Sequence, residues 1–138
     1  MVQESDQGTP DFGSHYAGEW KFNTWIRQGL GELVRKNGLS YNGYFKDSKF
    51  DGKGELTFAK DDKEGRQSYI GTFKDGVFDG YGLLSYTNGD KLSIGWDNGN
   101  INGQGIYTWE NGTRARVTTK ANQPLFDLPL IFPPDDYR

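Results

Sequence analysis

His15 is the only histidine in the chain, and imidazole is the side chain best placed to move protons near neutral pH. A His-based metal centre or a triad needs partners that a lone histidine does not bring, and for His15, beside Tyr16, a structural or surface role is expected. Cysteine is absent, which excludes thiol catalysis, disulfides and cysteine-bound metals together. Asp11-Phe12-Gly13 imitates a kinase metal-binding tripeptide, but the glycine-rich loop, the catalytic loop and the length of a kinase are missing. Gly80-Tyr81-Gly82 and Gly103-Gln104-Gly105 look like the start of a dinucleotide fingerprint. They lack the third glycine and the helix whose N-terminus would hold phosphate. Asp51 and Asp79 occupy equivalent positions and are expected to cap their own turns through side chain-to-backbone bonds; a calcium loop would need a denser set of carboxylates. No acid, base and nucleophile assemble, so the expectation is a non-enzyme with no cofactor and no metal.

The glycines and aromatics around these residues recur at near-constant spacing. Tyr41-Asn42-Gly43-Tyr44-Phe45, Asp51-Gly52-Lys53-Gly54 and Phe58 return as Tyr69-Ile70-Gly71-Thr72-Phe73, Asp79-Gly80-Tyr81-Gly82 and Tyr86. They return again as Ser93-Ile94-Gly95-Trp96, Asn102-Gly103-Gln104-Gly105 and Trp109. A period of this length signals a repeat architecture, in which each unit buries its apolar face only by stacking on the next. Four units are read, 16–40, 41–68, 69–92 and 93–115, with a closing strand within 113–119. Residues 1–15 form a polar extension and 120–138 an apolar tail. The first unit is looser, with two extra residues before Gly29-Leu30-Gly31 and Arg35 in place of an aromatic, as befits a terminal cap. Residues 59–68 read as a charged, solvated insertion.

Within a unit, alternation places Tyr69, Gly71 and Phe73 on one face and Ile70, Thr72 and Lys74 on the other. Asp75-Gly76 joins two such strands into a hairpin. Asn88-Gly89 and Asn111-Gly112 sit between units, where both residues of each pair are expected to take the positive φ of a tight turn. The match of Asn111-Gly112-Thr113 to a glycosylation acceptor is read as this turn. Strand glycines weaken a sheet unless rings cover them, and Gly71 beside Tyr86 and Gly105 beside Phe73 are the expected pairs. The fourth unit reads as one residue short in its first strand, so Trp96 is either absorbed by a bulge or exposed. The result is an all-β, elongated, single-layer antiparallel array of stacked hairpins. At about 10 Å per hairpin it would span about 40 Å and carry a trough lined by rings.

Composition agrees. Only 33% of residues are apolar but 15% are aromatic, with twenty glycines, which suits rings packed on bare backbone and disfavours long helices. The net charge of −3 and pI near 5.1 exclude the basic footprint of a nucleic-acid binder. No apolar run approaches the roughly 20 residues of a membrane span, and residues 1–14 show no secretory h-region; a cytoplasmic location is expected.

The phrases resemble the MORN repeat (membrane occupation and recognition nexus), with its Tyr-x-Gly-x-Phe/Trp, Asp-Gly-x-Gly, a further aromatic, then Asn/Asp-Gly. The second and third units match almost throughout, and the resemblance spans about residues 16–115. It implies a hairpin array serving as a non-catalytic scaffold or docking subunit of a larger assembly, with cytoskeletal or ciliary settings among those of the family, and it brings no catalytic residues.

Two contact surfaces are expected for a protein partner. One is the trough, with Trp25, Tyr81 and Trp96 the rings hardest to place inside. The other is the tail, where Leu125, Phe126, Leu128, Leu130, Ile131 and Phe132 crowd into eleven residues with four of the five prolines, favouring an extended path. The tail either caps the last hairpin's edge or docks into a partner. An uncovered terminal strand would allow an end-to-end homodimer. Phospholipid contact is the weaker alternative. The first unit carries +2, the second is neutral and the third and fourth are each −1, against a gain of about 1 kcal/mol per Lys or Arg at an anionic surface. Lys21, Arg27, Arg35 and Lys36 would carry it. A sugar-binding module, with rings stacking on sugars, ranks behind both.

Overall fold

The structure, a computed structural model, describes residues 14–127 and, by backbone alone, residues 2–5. These form one open sheet of eleven strands in chain order: β1 (Val2–Ser5), β2 (His15–Trp20), β3 (Arg27–Val34), β4 (Ser40–Lys46), β5 (Lys49–Thr57), β6 (Arg66–Lys74), β7 (Val77–Tyr86), β8 (Lys91–Asp97), β9 (Asn100–Thr108), β10 (Arg114–Lys120) and β11 (Gln123–Phe126). Every neighbouring pair is antiparallel, so the chain is a continuous meander of stacked hairpins. Strand alternation puts Tyr16, Leu33, Tyr41, Phe45, Leu56, Tyr69, Phe73 and Leu84 on one buried face.

A single layer can bury these rings because of how its glycines pair. Gly18 faces Gly31, Gly43 faces Gly54 and Gly71 faces Gly82. The tyrosine two residues before each first glycine lays its ring across the second: a Cβ added at Gly54 would stand 2.5 Å from ring carbons of Tyr41. The ring covers backbone, and its hydroxyl donates to the carbonyl three residues on. Tyr16 reaches Glu19 at 2.7 Å, Tyr41 reaches Tyr44 at 2.8 Å and Tyr69 reaches Thr72 at 3.2 Å. Gly71 is therefore covered by Tyr69 and Gly82, and Gly105 by Ile94. Tyr86 and Phe73, the rings expected there, are not the groups that meet them: Tyr86 pairs with Arg66 at the far end of the same hairpin, and Phe73 belongs to the preceding one.

Rings then tie one unit to the next. Phe45 meets Tyr16 and Tyr41 edge-on, each at 5.1 Å, and Phe73 meets Tyr41 at 5.2 Å and Tyr69 at 5.1 Å. Phe50 stacks on Tyr41 and Phe78 on Tyr69, both at 3.9 Å. In the first unit Arg27 takes this place, its guanidinium 5.4 Å from the centre of the Tyr16 ring.

The fourth unit is not short. Leu92 pairs with Tyr107 as Tyr69 pairs with Leu84, so Leu92 stands at the tyrosine position and Trp96 at the place of Phe73. A bulge between Ser93 and Gly95 matches those between Gly43 and Phe45 and between Gly71 and Phe73. With no tyrosine ring to cover the glycine, the fully buried Ile94 fills the space. The Ile-Gly spelling shared by Ile70-Gly71 and Ile94-Gly95 hid this substitution.

The turns are of two kinds, distributed differently from the sequence reading. Positive φ at both central residues occurs inside the units, at Asp47-Ser48, Asp75-Gly76 and Asn98-Gly99. Between units only the glycine is left-handed: Gly89 has φ 97° and Gly112 has φ 91°. There Gly89 N–H donates to Tyr86 and Tyr86 N–H to Asp90, a three-residue turn with a glycine bulge. The asparagine instead accepts from the backbone two residues on, Asn88 from Asp90 and Asn111 from Thr113, both at 2.9 Å.

Candidate functional site: a ring-lined groove

Along the ring face of the third and fourth units runs a groove of about 480 Å³. Phe78, Leu84, Leu92, Trp96 and Ile101 line it, with Tyr86 beside them. Glu64 lines it from the 58–65 connection and Arg66 from the start of β6, with Asn122 and Pro124 from the β10–β11 hairpin. Trp96 is held by Phe78 at 5.0 Å and Tyr69 at 5.9 Å. Its ring is partly buried, half wall and half surface.

The charged connection is built, not merely solvated. Arg66 donates to both oxygens of Asp62, from Nε at 3.0 Å and Nη2 at 2.8 Å, and its backbone N–H adds a third bond at 2.9 Å. The guanidinium lies 4.2 Å from the centre of the Phe58 ring and pairs with Glu64 at 3.3 Å. The hydrogen bonds from Arg66 hold the Asp62 carboxyl down at about 2. Arg66 thus stands as a fixed cation at the rim of an apolar groove. Burial pushes the Tyr86 phenol upward, with the nearby Glu64 charge adding to it.

A second built polar contact lies outside the groove's lining. The buried Asp90 accepts from Tyr107 Oη at 2.6 Å and from the Glu110 backbone at 2.9 Å. Burial and this carboxylate together raise the Tyr107 phenol well above its ordinary range.

The expected contact residues do not form one surface. Trp96 lies in the groove. Phe126 joins the same face, its ring 5.4 Å from Tyr107 and 5.5 Å from Trp109. Leu125, one residue back in β11, alternates to the other face, as does Tyr81, whose hydroxyl is 3.4 Å from Ser93 Oγ. Trp25 sits in the β2–β3 connection, 72% exposed. Leu128, Leu130, Ile131 and Phe132 lie outside the described residues, as do Asp11-Phe12-Gly13. His15 opens β2, exposed. The tail's first part adds β11 to the sheet beside β10, and β1 lies beside β2. Of the groove's lining residues the sequence singled out Trp96 as a contact residue; Phe78, Leu92 and Ile101 were not singled out.

Three stretches, residues 41–63, 69–91 and 95–114, match the family model of the MORN repeat. The chain is a MORN-repeat protein. Residues 16–40 fall outside those stretches, yet they repeat the tyrosine-over-glycine geometry with Tyr16, Gly18 and Gly31. No curated protein matches the chain as a relative. MORN repeats are non-enzymatic modules that bind proteins or membranes. Among the described residues no group of three His, Cys, Asp or Glu side chains could hold a metal ion, and no helix is long and apolar enough to cross a membrane.

Proposed function

We propose that this MORN array is a non-catalytic scaffold subunit that receives an extended, apolar segment of a protein partner in the groove over Phe78, Trp96 and Ile101. The observation that carries this reading is the groove itself: large side chains in register on one face, Phe78, Trp96 and Ile101 only partly buried, with a fixed cation at the rim. An extended peptide suits such a surface because alternate side chains enter the groove while the others face away. Binding of this kind rests on apolar burial and depends weakly on salt. The assembly it serves is proposed to be intracellular, with a cytoskeletal or ciliary setting to be examined.

Photocrosslinking tests this directly. A crosslinker placed at Ile101, in the groove, is expected to capture a protein that one placed at Tyr81, on the opposite face, does not. Equal capture from both positions, or none from Ile101, would remove the groove from the account.

A further inference from the structure

A stripe of rings leads from the groove to the last strand. Tyr86, which lines the groove, lies 6.3 Å from Tyr107, and Tyr107 lies 5.0 Å from Trp109 and 5.4 Å from Phe126. None of the four is fully covered: Phe126 is 45% exposed and the other three are half-buried. They are tilted apart, by 32° between Tyr86 and Tyr107 and by 35° between Trp109 and Phe126. Phe50, by contrast, closes on Tyr41 at 3.9 Å and 10°. Wedge-shaped slots therefore stand open along the stripe. The hydrogen bond from Tyr107 Oη to Asp90, at 2.6 Å, fixes the central ring, so the slots are formed before anything enters them. Slots between aromatic rings are the kind of surface on which extended, proline-rich segments dock.

The chain supplies such a segment at this place. Asp127, directly after Phe126, donates its N–H to Arg116 at 2.8 Å, which fixes where the backbone leaves the sheet. The next seven residues are Leu128-Pro129-Leu130-Ile131-Phe132-Pro133-Pro134, all apolar. In a polyproline path they would reach about 22 Å, and three residues per turn would put Pro129 in line with Phe132 and Leu130 with Pro133. The way back from Phe126 to Tyr86 is two ring steps, of 5.4 Å and 6.3 Å, so the segment is long enough to cross the stripe and enter the groove. Tethered this closely, it meets the rings at an effective concentration on the order of millimolar, against which a separate protein must compete.

We infer that residues 128–134 occupy the slots between Phe126, Trp109, Tyr107 and Tyr86 as the chain's own ligand and restrict entry to the groove. The restriction rests on the groove being the partner's seat: a partner engages it by displacing the segment, and its apparent affinity is reduced by the fraction of chains whose groove is free.

A spin label tests this. Because cysteine is absent, Ile131→Cys in the full chain takes a single nitroxide, and the four tryptophan indoles report on it by nuclear magnetic resonance. The label is expected to broaden the Trp109 and Trp96 signals and to leave Trp20 and Trp25, in the first unit, sharp. Adding Leu130→Asp with Phe132→Asp should restore the broadened signals and raise protein capture by the crosslinker at Ile101 roughly fivefold or more. An unchanged circular-dichroism spectrum will show that this variant keeps its sheet. The inference is overturned if no selective broadening appears, or if broadening passes from spin-labelled chains to isotope-enriched chains without the label, which would seat a second copy's segment there. Unchanged capture by the folded variant would overturn the restriction of the groove. The labelling uses no partner, so a seated segment with no capture by either chain removes the proposed partner and upholds the seat; capture at Ile101 without broadening does the reverse.

Discussion

The Asp79 carboxylate accepts the backbone N–H of Asn98 at 3.1 Å, which joins the third unit to the turn of the fourth. Asp51 reaches the Asp75 N–H at 3.3 Å in the same way, and Gln28 reaches Asp47 at 3.1 Å. Beside each bond runs a backbone bond from the next residue: Ser48 to Arg27, Gly76 to Phe50 and Gly99 to Phe78. The aspartate of each Asp-Gly-x-Gly phrase thus caps the following unit's turn, not its own as the sequence suggested, and helps hold a left-handed residue in place. Asp79→Ala is expected to cost about 1 kcal/mol and to speed hydrogen exchange at the Asn98 amide, while Asp79→Asn keeps most of the protection. Unchanged exchange in the alanine variant would show that the backbone bond suffices.

The tyrosine-over-glycine geometry predicts coupling between the two positions. A Cβ at Gly82 runs into the Tyr69 ring, so Gly82→Ala should destabilise by about 1–3 kcal/mol, as overpacking does. Gly71→Ile alone should be worse tolerated than Gly71→Ile with Tyr69→Leu, which copies Ile94 and Leu92 of the fourth unit. A double-mutant cycle in chemical unfolding measures this, with a coupling of about 0.5–3 kcal/mol expected; additive effects would mean that the ring and the isoleucine do not share one space.

Alkaline stability follows from the same rings. Burial raises the Tyr16 and Tyr69 phenols to about 12, whereas in the unfolded chain they ionise near 10. Below that lower value both states hold the proton and no pH dependence arises. Above it the unfolded state binds fewer protons, so stability falls as pH climbs from about 10 toward 12. Thermal unfolding across this window should show the loss, and Tyr69→Phe should make it shallower.

At the acid end the relevant group is Asp62. Held at about 2 by the hydrogen bonds from Arg66, against about 3.9 when unfolded, it contributes stability that is present above the higher value. That contribution is lost as pH falls through the window between them. Asp62→Asn should flatten this limb of the stability profile measured by denaturant unfolding; an unchanged limb would assign it to other carboxylates.

Much of the fold was legible because period-2 alternation and the Gly-aromatic phrases report local events. The face shared by Tyr69 and Phe73 and the hairpin at Asp75-Gly76 follow directly. What could not be read is where spelling and geometry part. Ser93 looks like the start of a unit, but Leu92 is the residue in register, since only pairing with Tyr107 reveals it. Asn88-Gly89 spells a two-residue turn, yet the flanking bonds of Tyr86 select a longer one. The groove was less legible still. Trp96 could be singled out, but Arg66, Pro124 and Ile101 come to it from separate parts of the chain. The exposure of Phe22, in the β2–β3 connection, left only a length difference in the first unit as its signal.

The measurement that bears most directly on the central claim is affinity capture from the native source at high salt. It compares the intact chain with a folded Trp96→Ala, Ile101→Ala variant. The account predicts that the intact chain retains a protein partner and that the groove variant loses it. A partner retained equally by both, or no partner for the intact chain, would contradict the claim that the groove is where this scaffold binds.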